Sequence, residues 1–583
     1  MLHTKIVCTI GPASEDIEIL RRMIRAGMSV ARLNFSHGTR AEHGQRIAGI
    51  RRAAGEEGRT VAVMLDTMGP EVRLGFLKEE PVRLTEGDEV VLTTEEIKGD
   101  NRRIPVSYAG LPRDVRPGNI ILIADGLISL QVLDTTTTEV LCRVNNNGEI
   151  TSRKRLNVPG VRINLPAVTE KDLDDIKYGI EQQVDFIAAS FIHRAADVLA
   201  IRQVLEEAGA DIDIIAKIEN RESVNNLDEI IKVAEGIMVA RGDLGVEIPA
   251  EEVPLIQKAI IERCNRAGKP VVTATQMLES MIHNPRPTRA EASDVANAIF
   301  DGTDAVMLSG ETAVGKYPVD SVETMARIAG RAEAALHYEE LLGRKRVAFS
   351  RTVTDAISYA TCTTAQDLGA AAIITSTASG HTAKMVSKYR PRAPIVAVTP
   401  HVRVLRRLAL VWGVQPLLVG QTGGTDEMIA SAVEVSLAAG MIKGGDLVVI
   451  TAGVPAGVHG TTNLIRVHTV GDVLARGTGI GHRAVTGAVR IARTAKEALE
   501  KMEPGDILVT VSTDSDYVPA MEKAAAVITE VGGLTSHAAI VCLEFGTPVV
   551  VGVEAATSIL ADDQTVTVDG QRGLVYSGIA RVL

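Results

Sequence analysis

Aromatic residues, cysteine and long apolar runs are all scarce in this chain of 583 residues. Phe, Trp and Tyr make up 3% of the sequence, with a single tryptophan at Trp412, so the cores must be aliphatic. The five cysteines lie far apart without a CxxC pair, which argues against a disulfide scaffold or a structural zinc site and suits a reducing cytosol. No run approaches about 18 uninterrupted apolar residues. The N-terminus also lacks a signal-peptide pattern, so neither a membrane span nor secretion is expected.

Basic residues are fewer than acidic residues in this sequence. The chain has 62 Lys and Arg against 73 Asp and Glu, a formal net charge of −11. This balance argues against a general binder of nucleic acid, because such a protein needs a basic face. A hydrophobic fraction of 45% and a charged fraction of 23% are typical of folded globular proteins. We therefore expect a large cytoplasmic protein, with about four domains at roughly 150 residues each, and no nucleic-acid or membrane partner.

The first 340 residues alternate short β-branched runs with helical patterns. Near-continuous apolar strands separated by helices indicate a parallel sheet, and eight such units indicate a (β/α)8 TIM barrel. We predict that residues 1–72 and 167–340 form this α/β barrel domain. The predicted strands are Lys5–Thr9, Ser29–Leu33, Val61–Asp66, Asp185–Ser190, Asp213–Ile218, Gly236–Ala240, Val271–Thr275 and Asp304–Ser309.

Three further domains are expected. Residues 73–166 have short strand patterns and turn residues, which predict a small inserted β-barrel domain that covers the barrel as a lid; its strands are expected at Val82–Thr93, Asn119–Leu133 and Thr138–Val144. The chain returns to the barrel at Thr169–Asp172, a capping-box pattern that predicts a helix start. Residues 341–471 predict an α/β domain. Residues 472–583 predict an extra β/β/α domain of the swivelling type, joined by a Gly-rich linker at 471–487 that is expected to flex.

Charged residues collect where the predicted barrel strands end, and this end of a barrel carries the chemistry. Glu219 and Asp243 suit a hard divalent cation such as magnesium, which takes one or two carboxylates and leaves other positions to water and substrate oxygens. Arg32, Arg73 and Lys217 would supply positive charge to phosphate or carboxylate oxygens.

A second set of strand-end residues suits a monovalent cation. Asn34, Ser36, Asp66 and Thr67 offer four oxygens with a single negative charge. Together with the magnesium carboxylates, this set fits phosphoryl transfer, in which the protein mainly positions groups and neutralises charge. Each residue alone is equally explained as a surface ion pair or a cap. The convergence of the whole set on one rim favours a site, provided that the barrel prediction holds.

Seven motifs along residues 1–470 resemble the pyruvate kinase family and follow its order. They are TKIVCTIGPAS at 4–14, ARLNFSHG at 31–38, LDTMGPEVR at 65–73, AKIEN at 216–220, MVARGDLGVE at 238–247, ATQMLESM at 274–281 and MLSGETAVGKYP at 307–318. The resemblance implies a barrel A domain, a mobile B-domain lid and a regulatory C domain. It implies phosphotransferase activity from phosphoenolpyruvate to ADP, giving pyruvate and ATP. It also implies a homotetramer with a sugar-phosphate or nucleotide effector.

The resemblance further assigns roles to individual residues. It implies that the catalytic residues are Lys217, Arg32 and Thr275, and that Lys217 stabilises the transition state. It implies that substrate is bound by Arg32, Gly242, Asp243 and Thr275, and that nucleotide is bound by Asn34, Ser36, His37, Arg73 and Lys154. It also implies that Mg²⁺ is held by Glu219 and Asp243 and that K⁺ is held by Asn34, Ser36, Asp66 and Thr67. Arg153 and Arg155 flank Lys154, so the choice among these three basic residues stays open.

One motif departs from the family pattern. The usual DTKGPEIR is here DTMGPEVR, with Met68 in place of Lys and Leu74 following. In the family, Glu at position 71 accompanies potassium dependence, whereas Met68 and Leu74 do not match the dependent subgroup. Glu71 is the basis on which we predict that the enzyme depends on K⁺.

A loop in the predicted C domain resembles the family's effector phosphate loop. Hydroxyl and glycine residues that open a helix present backbone N–H donors to an anion. An ordinary Ser/Thr helix cap explains the motif about as well when it is taken alone. The residues concerned are Thr375, Ser376, Thr377, Ser379, Gly380 and Thr382.

The motif GGLTSHAAI at 532–540 resembles the phosphohistidine domain of phosphoenolpyruvate-utilising enzymes such as pyruvate phosphate dikinase. Thr535, Ser536 and His537 would lie at a helix N-terminus, where a phosphoryl group is electrostatically favoured. Direct transfer from phosphoenolpyruvate to ADP needs no phosphohistidine, so a structural or anion-binding role is expected.

Three other functions stay open at this point. A dikinase-type phosphotransferase also joins a barrel to a swivelling histidine domain, but no separate nucleotide-grasp domain is visible. A magnesium-enolate lyase would use Glu219 and Asp243 without a potassium cage. A metabolite-sensing scaffold would not need Lys217, Glu219, Asp243 and Thr275 together.

Overall fold

The computed structural model describes residues 2–161, 163–345, 352–454, 462–471 and 473–580. The chain divides into two compact units. The first consists of Met1–Tyr338 and Val402–Pro416, and the second of Glu339–His401 and Leu417–Leu583.

Eight parallel strands of the first unit close into a barrel in which each strand pairs with the next and the last pairs with the first. Their side chains are almost all buried, as expected for apolar runs covered on both faces. The predicted TIM barrel is therefore confirmed, with strand ends within about one residue of the prediction. The strands are β1 (Lys5–Thr9), β2 (Met28–Asn34), β3 (Ala62–Asp66), β4 (Phe186–Ala189), β5 (Asp213–Ile218), β6 (Gly236–Ala240), β7 (Val271–Ala274) and β8 (Ala305–Leu308).

Helices surround the strands and bury their apolar faces in a common core. The helix after the inserted domain begins with the predicted capping box: Thr169 accepts from the Asp172 backbone, and the Asp172 carboxylate accepts from the Thr169 backbone at 3.1 Å. The helices are Ile17–Ala26, Arg40–Glu56, Glu170–Glu181, Ala195–Glu207, Arg221–Asn225, Leu227–Val233, Arg241–Glu247, Val253–Ala267, Arg289–Asp301, Gly310–Ala313 and Pro318–Ala334, with a 3-10 turn at Glu279–Ile282.

The segment Val402–Pro416 belongs to the barrel unit although it lies far along the chain. Its Ala409 and Leu410 join the apolar cluster inside the barrel. The Lys5 ammonium, at the start of β1, donates to the Val414 carbonyl at 2.6 Å. The segment therefore covers the N-terminal ends of the strands and leaves the C-terminal ends to the site.

The inserted lid is built from short, mostly antiparallel strands around its own apolar core. Two predicted strands are wrong in extent. A turn at Gly87 divides the predicted strand Val82–Thr93 in two, and a turn at Asp125–Gly126 divides the predicted strand Asn119–Leu133; all three turn residues have positive φ. Several strands of two or three residues were missed, since so short a strand shows no period. The lid strands are Val72–Arg73, Val82–Leu84, Glu89–Thr93, Arg103–Pro105, Ile120–Ile123, Ile128–Thr135, Glu139–Val144, Gly148–Ile150 and Arg155–Asn157.

The second unit contains two sheets. In the first, three strands are parallel and the fourth is antiparallel to its neighbour. These strands are Ile395–Thr399, Ala372–Ser376, Leu447–Gly453 and Thr462–Thr469, and the strand Val414–Leu418 lies at the chain boundary between the units. The accompanying helices are Tyr338–Lys345, Val353–Asp367, His381–Ser387 and Thr425–Ala438, whereas the helix Val402–Arg407 belongs to the barrel unit.

The C-terminal part of this unit forms a mixed sheet of eight strands with short helices. In sheet order the strands are Val473–Arg476, Leu574–Ser577, Thr565–Asp569, Ala484–Ile491, Ile507–Thr510, Ala526–Thr529, Val549–Val551 and Thr478–Ile480. The helices are Ala495–Lys501, Val518–Lys523, His537–Phe545 and Ala556–Ile559.

The expectation that residues 471–487 act as a flexible linker is wrong. Within the described residues this stretch supplies strands that pair across the C-terminal sheet. A Cβ at Gly477 would lie 2.5 Å from the Val551 carbonyl oxygen, and one at Gly479 would lie 2.5 Å from that of Gly570. Glycine is present at these two positions because backbones approach closely there, and this use of glycine adds no flexibility.

Candidate functional site

A buried ammonium group lies among oxygen atoms at the C-terminal ends of β3, β4 and β5. Lys217 Nζ is 3.1 Å from Asp66 Oδ1, 2.7 Å from Ser190 Oγ and 3.0 Å from Glu219 Oε1. Burial alone would discharge this lysine, but Asp66 and Glu219 outweigh burial and raise the pKa of Lys217 above its usual value. The site therefore holds a fixed positive charge at neutral pH.

Asp66 is shared between two cations. Arg32 Nε donates to Asp66 Oδ2 at 2.6 Å, while Lys217 donates to Oδ1, and Arg32 Nη1 also reaches Thr9 Oγ1 at 2.9 Å. Burial raises the pKa of Asp66, but Arg32 and Lys217 more than offset that effect and lower it overall. The carboxylate orients both cations, so its two oxygens are already engaged although the sequence had assigned Asp66 to the potassium cage.

Glu219 and Asp243 form a pair of carboxyl groups beside Lys217. Burial, opposed by Lys217 and reinforced by the charge of Asp243, raises the pKa of Glu219 to about 7. Glu219 Oε2 accepts from the Phe191 backbone at 2.6 Å, and the buried Oε1 faces the Lys217 ammonium at 3.0 Å. A buried carboxylate next to a second carboxylate provides the oxygen donors that a divalent cation prefers.

The described residues contain no group of three or more His, Cys, Asp or Glu side chains that could hold a metal ion. A magnesium ion at Glu219 and Asp243 would therefore take two protein carboxylates and complete its shell with water and substrate oxygens. Magnesium commonly binds in this way. The donor set fits the predicted ion.

Thr275 is fixed in an uncommon conformation after β7, with φ of +66°. Its hydroxyl accepts from the Gly242 backbone at 2.8 Å and donates to the Ala274 carbonyl at 2.6 Å. The Arg241 guanidinium donates to the Thr275 carbonyl at 2.7 Å and pairs with Asp294 at 2.7 Å. Arg241 therefore ties the ends of β6 and β7 together, a positioning role that residue type alone does not reveal. A strained backbone held so firmly is typical of a functional position.

The remaining potassium candidates lie at the ends of β2 and β3. Asn34 is paired in register with Asp66, and its side-chain oxygen accepts from the Ser36 backbone at 3.1 Å. Thr67 Oγ1 accepts from the Ser190 backbone at 3.1 Å. The predicted set is therefore brought to one region of the rim, while His37 beside it is exposed.

The lid contributes basic residues to the same region. Arg73 Nε donates to Glu71 Oε2 at 2.8 Å, and its Nη1 donates to the Arg153 carbonyl at 3.1 Å. The Lys154 side chain is exposed. By contrast, Arg155 pairs with Asp243, and its guanidinium lies 4.4 Å from the centre of the Phe191 ring. Of the three adjacent basic residues, Arg155 is the one that contacts a predicted magnesium ligand.

A cavity of about 530 Å³ lies between the lid and the barrel. Its lining includes Glu71, Arg155, Glu219, Asn220 and Glu247. This volume is in the usual range for a small-molecule site. One predicted metal carboxylate, Glu219, and one basic residue of the lid, Arg155, thus line the same cavity.

Comparison with known proteins identifies this architecture. The model of the pyruvate kinase barrel domain matches residues 1–322, and that of the pyruvate kinase alpha/beta domain matches residues 355–468. The chain belongs to the pyruvate kinase family. It transfers the phosphoryl group of phosphoenolpyruvate to ADP and gives pyruvate and ATP, the last step of glycolysis. The model of the mobile domain of PEP-utilising enzymes matches residues 502–573.

Relatives share the whole length of this pyruvate kinase. The pyruvate kinase of Geobacillus stearothermophilus is 58% identical over 583 residues, covering 100% of this chain and 99% of the relative. That of Bacillus licheniformis is 56% identical with full coverage of both chains. Among solved structures, a pyruvate kinase from Cryptosporidium parvum matches with a TM-score of 0.77 at 42% identity, covering 80% of this chain and 96% of that one. No helix among the described residues is long and apolar enough to cross a membrane.

In the C domain of this pyruvate kinase, the predicted effector loop joins the strand Ala372–Ser376 to the helix His381–Ser387. Thr377 Oγ1 accepts from the Gly380 backbone at 2.9 Å, and Thr382 Oγ1 lies 2.9 Å from Thr462 Oγ1. Thr375 is fully buried, whereas Ser379 is exposed and Ser376 is half-buried. Thr377 and Thr382 therefore hold the loop in shape, and Ser379 faces outward.

The predicted phosphohistidine motif begins the helix His537–Phe545. Ser536 caps this helix by accepting from the Ala539 backbone at 3.4 Å. His537 Nδ1 lies 3.0 Å from Thr513 Oγ1, and Thr535 is exposed. Hydrophobic side chains nearby in the sequence, Leu534 and Ile540, are 68% and 57% exposed. The motif has the predicted helix N-terminus and a half-buried imidazole.

Proposed function

We propose that this pyruvate kinase transfers the phosphoryl group directly, with Mg²⁺ and K⁺ as cofactors and with Lys217 as the residue that stabilises the transition state. The observation that carries this proposal is the buried Lys217 ammonium among Asp66, Ser190 and Glu219. A charge fixed before the reaction stabilises developing negative charge without reorganisation. Direct transfer makes this enzyme a phosphotransferase that needs no covalent intermediate.

Glu219 and Asp243 would hold the Mg²⁺ ion, which supplies charge neutralisation to substrate oxygens when bound. Arg32, held by Asp66 at 2.6 Å, would bind the phosphate of phosphoenolpyruvate. The Gly242 backbone and the Thr275 hydroxyl would hold the rest of the substrate. These groups orient substrate and ion, and orientation is the main task of a phosphotransferase.

The K⁺ ion would bind near Asn34, Ser36, Asp66 and Thr67, where neutral oxygens predominate. The nucleotide would approach from the lid side. We assign its contacts to Asn34, Ser36, His37, Arg73 and Lys154.

The test is a coupled assay of ADP with phosphoenolpyruvate, with and without K⁺ and Mg²⁺. ATP and pyruvate should form in equal amounts, and omission of either ion should reduce the rate. A dikinase would instead produce or consume AMP and pyrophosphate or phosphate, and a lyase would form no ATP. Either outcome would contradict the proposed chemistry.

We also propose that residues 375–382 bind the phosphate of a sugar-phosphate or nucleotide effector and that the enzyme is a homotetramer in the cytoplasm. The exposed Ser379 and the backbone at the start of the helix support the anion site. The cysteines Cys8, Cys142, Cys264, Cys362 and Cys542 are all buried and form no disulfide, which suits a reducing compartment. Calorimetric titration with sugar phosphates, compared between wild type and Ser379→Ala, tests the first point. Analytical ultracentrifugation tests the second.

For the C-terminal domain we propose a structural or anion-binding role, with no phosphohistidine relay. It has apolar clusters of its own, so it is a packed domain. Deletion of residues 472–583, or His537→Ala, should leave substantial turnover and alter stability or the response to effectors. Loss of turnover together with acid-labile phosphate at His537 would contradict this.

A further inference from the structure

Arg155 connects the lid to the barrel at the carboxylates assigned to magnesium. The lid strand Arg155–Asn157 runs beside the short helix Arg241–Glu247 that follows β6. Arg155 pairs with Asp243 near the start of that helix, and Asn157 Nδ2 donates to Glu247 Oε1 at 3.1 Å at its end. Residues two apart on a strand point to the same side, so both side chains face the barrel. The lid is thus held to the barrel through Asp243.

The guanidinium of Arg155 is largely buried and contacts an aromatic ring. Its side chain is 16% exposed, and the group lies 4.4 Å from the Phe191 ring centre, a cation–π contact. Phe191 itself is held in a left-handed conformation, with φ of +56°, by the hydrogen bond from its backbone N–H to Glu219. Glu219 therefore orients the Phe191 ring that Arg155 contacts, and it is also one of the two carboxylates assigned to magnesium.

A divalent ion at Asp243 would share this carboxylate with the guanidinium of Arg155. Arg155 hydrogen-bonds Asp243 Oδ1 and also interacts electrostatically with Glu219 and Glu71. A divalent ion held by Glu219 and Asp243 would meet this guanidinium at close range, where like charges repel strongly. Any free energy that favours one cation at Asp243 must therefore disfavour the other, and this coupling is reciprocal.

We propose that Arg155 is a lid-borne positioning residue that competes with the divalent cation for Asp243, so that metal binding releases the lid from this contact. The inference rests on the proposed metal site at Glu219 and Asp243. It adds that a residue of this chain sets the affinity of that site and links it to the position of the lid.

The test measures Mn²⁺ binding to the full-length enzyme without substrates, by electron paramagnetic resonance of the free ion. Arg155→Ala and Arg155→Gln should bind Mn²⁺ about tenfold more tightly than wild type, equivalent to about 1.4 kcal/mol. Arg155→Lys keeps the charge and should stay close to wild type. Arg103→Ala is the matched control, because Arg103 is a lid arginine that, among the residues the structure describes, forms its ion pairs with the lid residues Glu95 and Glu139. Its Mn²⁺ affinity should not change.

Hydrogen exchange supplies a second readout that does not depend on catalysis. In wild type, Mn²⁺ should speed exchange in the strand Arg155–Asn157, and in Arg155→Ala this strand should exchange fast with or without Mn²⁺. Unchanged or weaker Mn²⁺ affinity in both neutral variants, with circular dichroism like wild type, would overturn the inference. Failure of the metal site itself is distinguishable, because Glu219→Gln would then bind Mn²⁺ as wild type does, and both proposals would fall.

Discussion

Replacement of Lys217 by methionine is the most direct test of the proposed mechanism. The change keeps an unbranched side chain of similar length and removes the ammonium that lies 2.7–3.1 Å from three oxygens. Loss of one preorganised charge of this kind commonly reduces kcat by about 10²–10³-fold, or roughly 2.7–4 kcal/mol of transition-state stabilisation. The KM for phosphoenolpyruvate should change little, because the lost interaction is strongest in the transition state.

The same change also affects stability, and this effect must be separated from catalysis. Removing one partner of a buried ion pair costs about 3–5 kcal/mol. Asp66 keeps Arg32 in the variant, whereas Glu219 loses its nearest cation, so we expect a cost near the lower end of that range. Lys5→Met is a matched control, because Lys5 is 5% exposed and Lys217 is 8% exposed, at opposite ends of the barrel strands. Lys5→Met removes a buried ammonium that donates to the Val414 carbonyl at the other end of the strands, and it should leave kcat within about threefold of wild type.

The measurement is steady-state kinetics in the lactate dehydrogenase-coupled assay, with thermal unfolding of each variant alongside. A kcat for Lys217→Met close to that of Lys5→Met would refute the assigned role. So would a rise in KM without a fall in kcat, because that pattern means that Lys217 binds the ground state and the transition state equally.

Further predictions concern the metal, the monovalent cation and pH. Glu219→Gln and Asp243→Asn should each raise the Mg²⁺ concentration for half-maximal activity at least about tenfold, as measured by Mg²⁺ titration; unchanged curves in both would make the carboxylates structural. Glu71→Lys should reduce activation by K⁺, as measured in potassium-free buffer, and full wild-type activity there would contradict the K⁺ assignment. Burial lowers the pKa of Lys5 to about 8, against a usual 10.5, so the unfolded chain binds more protons than the folded one between these values. The contribution of Lys5 to the free energy of unfolding therefore rises with pH across that window, by about 3 kcal/mol in all. Lys5→Met should flatten the rise in melting temperature from pH 8 to 10. Parallel curves of melting temperature against pH for wild type and variant would contradict this prediction.

The barrel could be predicted from the sequence because its strands are continuous buried runs. β5 and β6 match the predicted bounds, since every residue in them is buried and their ends are marked by polar residues. The lid strands could not be found in the same way. A strand such as Val72–Arg73 has two residues, and its existence depends on pairing with Arg155–Asn157 far along the chain. Local pattern carries no information about such a pairing.

The sequence predicts those site residues whose position follows directly from the end of a strand. Lys217 and Glu219 were expected on one side of the same strand, and their charged groups are 3.0 Å apart. The role of Asp66 was less accessible, because residue type suggests a cation ligand whereas the structure engages both oxygens with Arg32 and Lys217. The register between strands decides which side chains lie next to a carboxylate inside a barrel. The sequence of one strand does not specify that register.

The ion pairs at the strand ends explain why Arg155 matters. Arg32 and Lys217 pair with Asp66, Lys217 also pairs with Glu219, and Arg155 pairs with Asp243. When all three carboxyl groups are ionised, the three arginine and lysine side chains balance their charge, which limits the cost of keeping charges away from water. If a divalent ion replaces Arg155 at Asp243, the net charge of this set of side chains and ion rises by about one unit, which favours the binding of the anionic substrates. Arg155 and the metal ion would thus set this charge between them, and Mn²⁺ binding to the Arg155 variants measures that exchange directly.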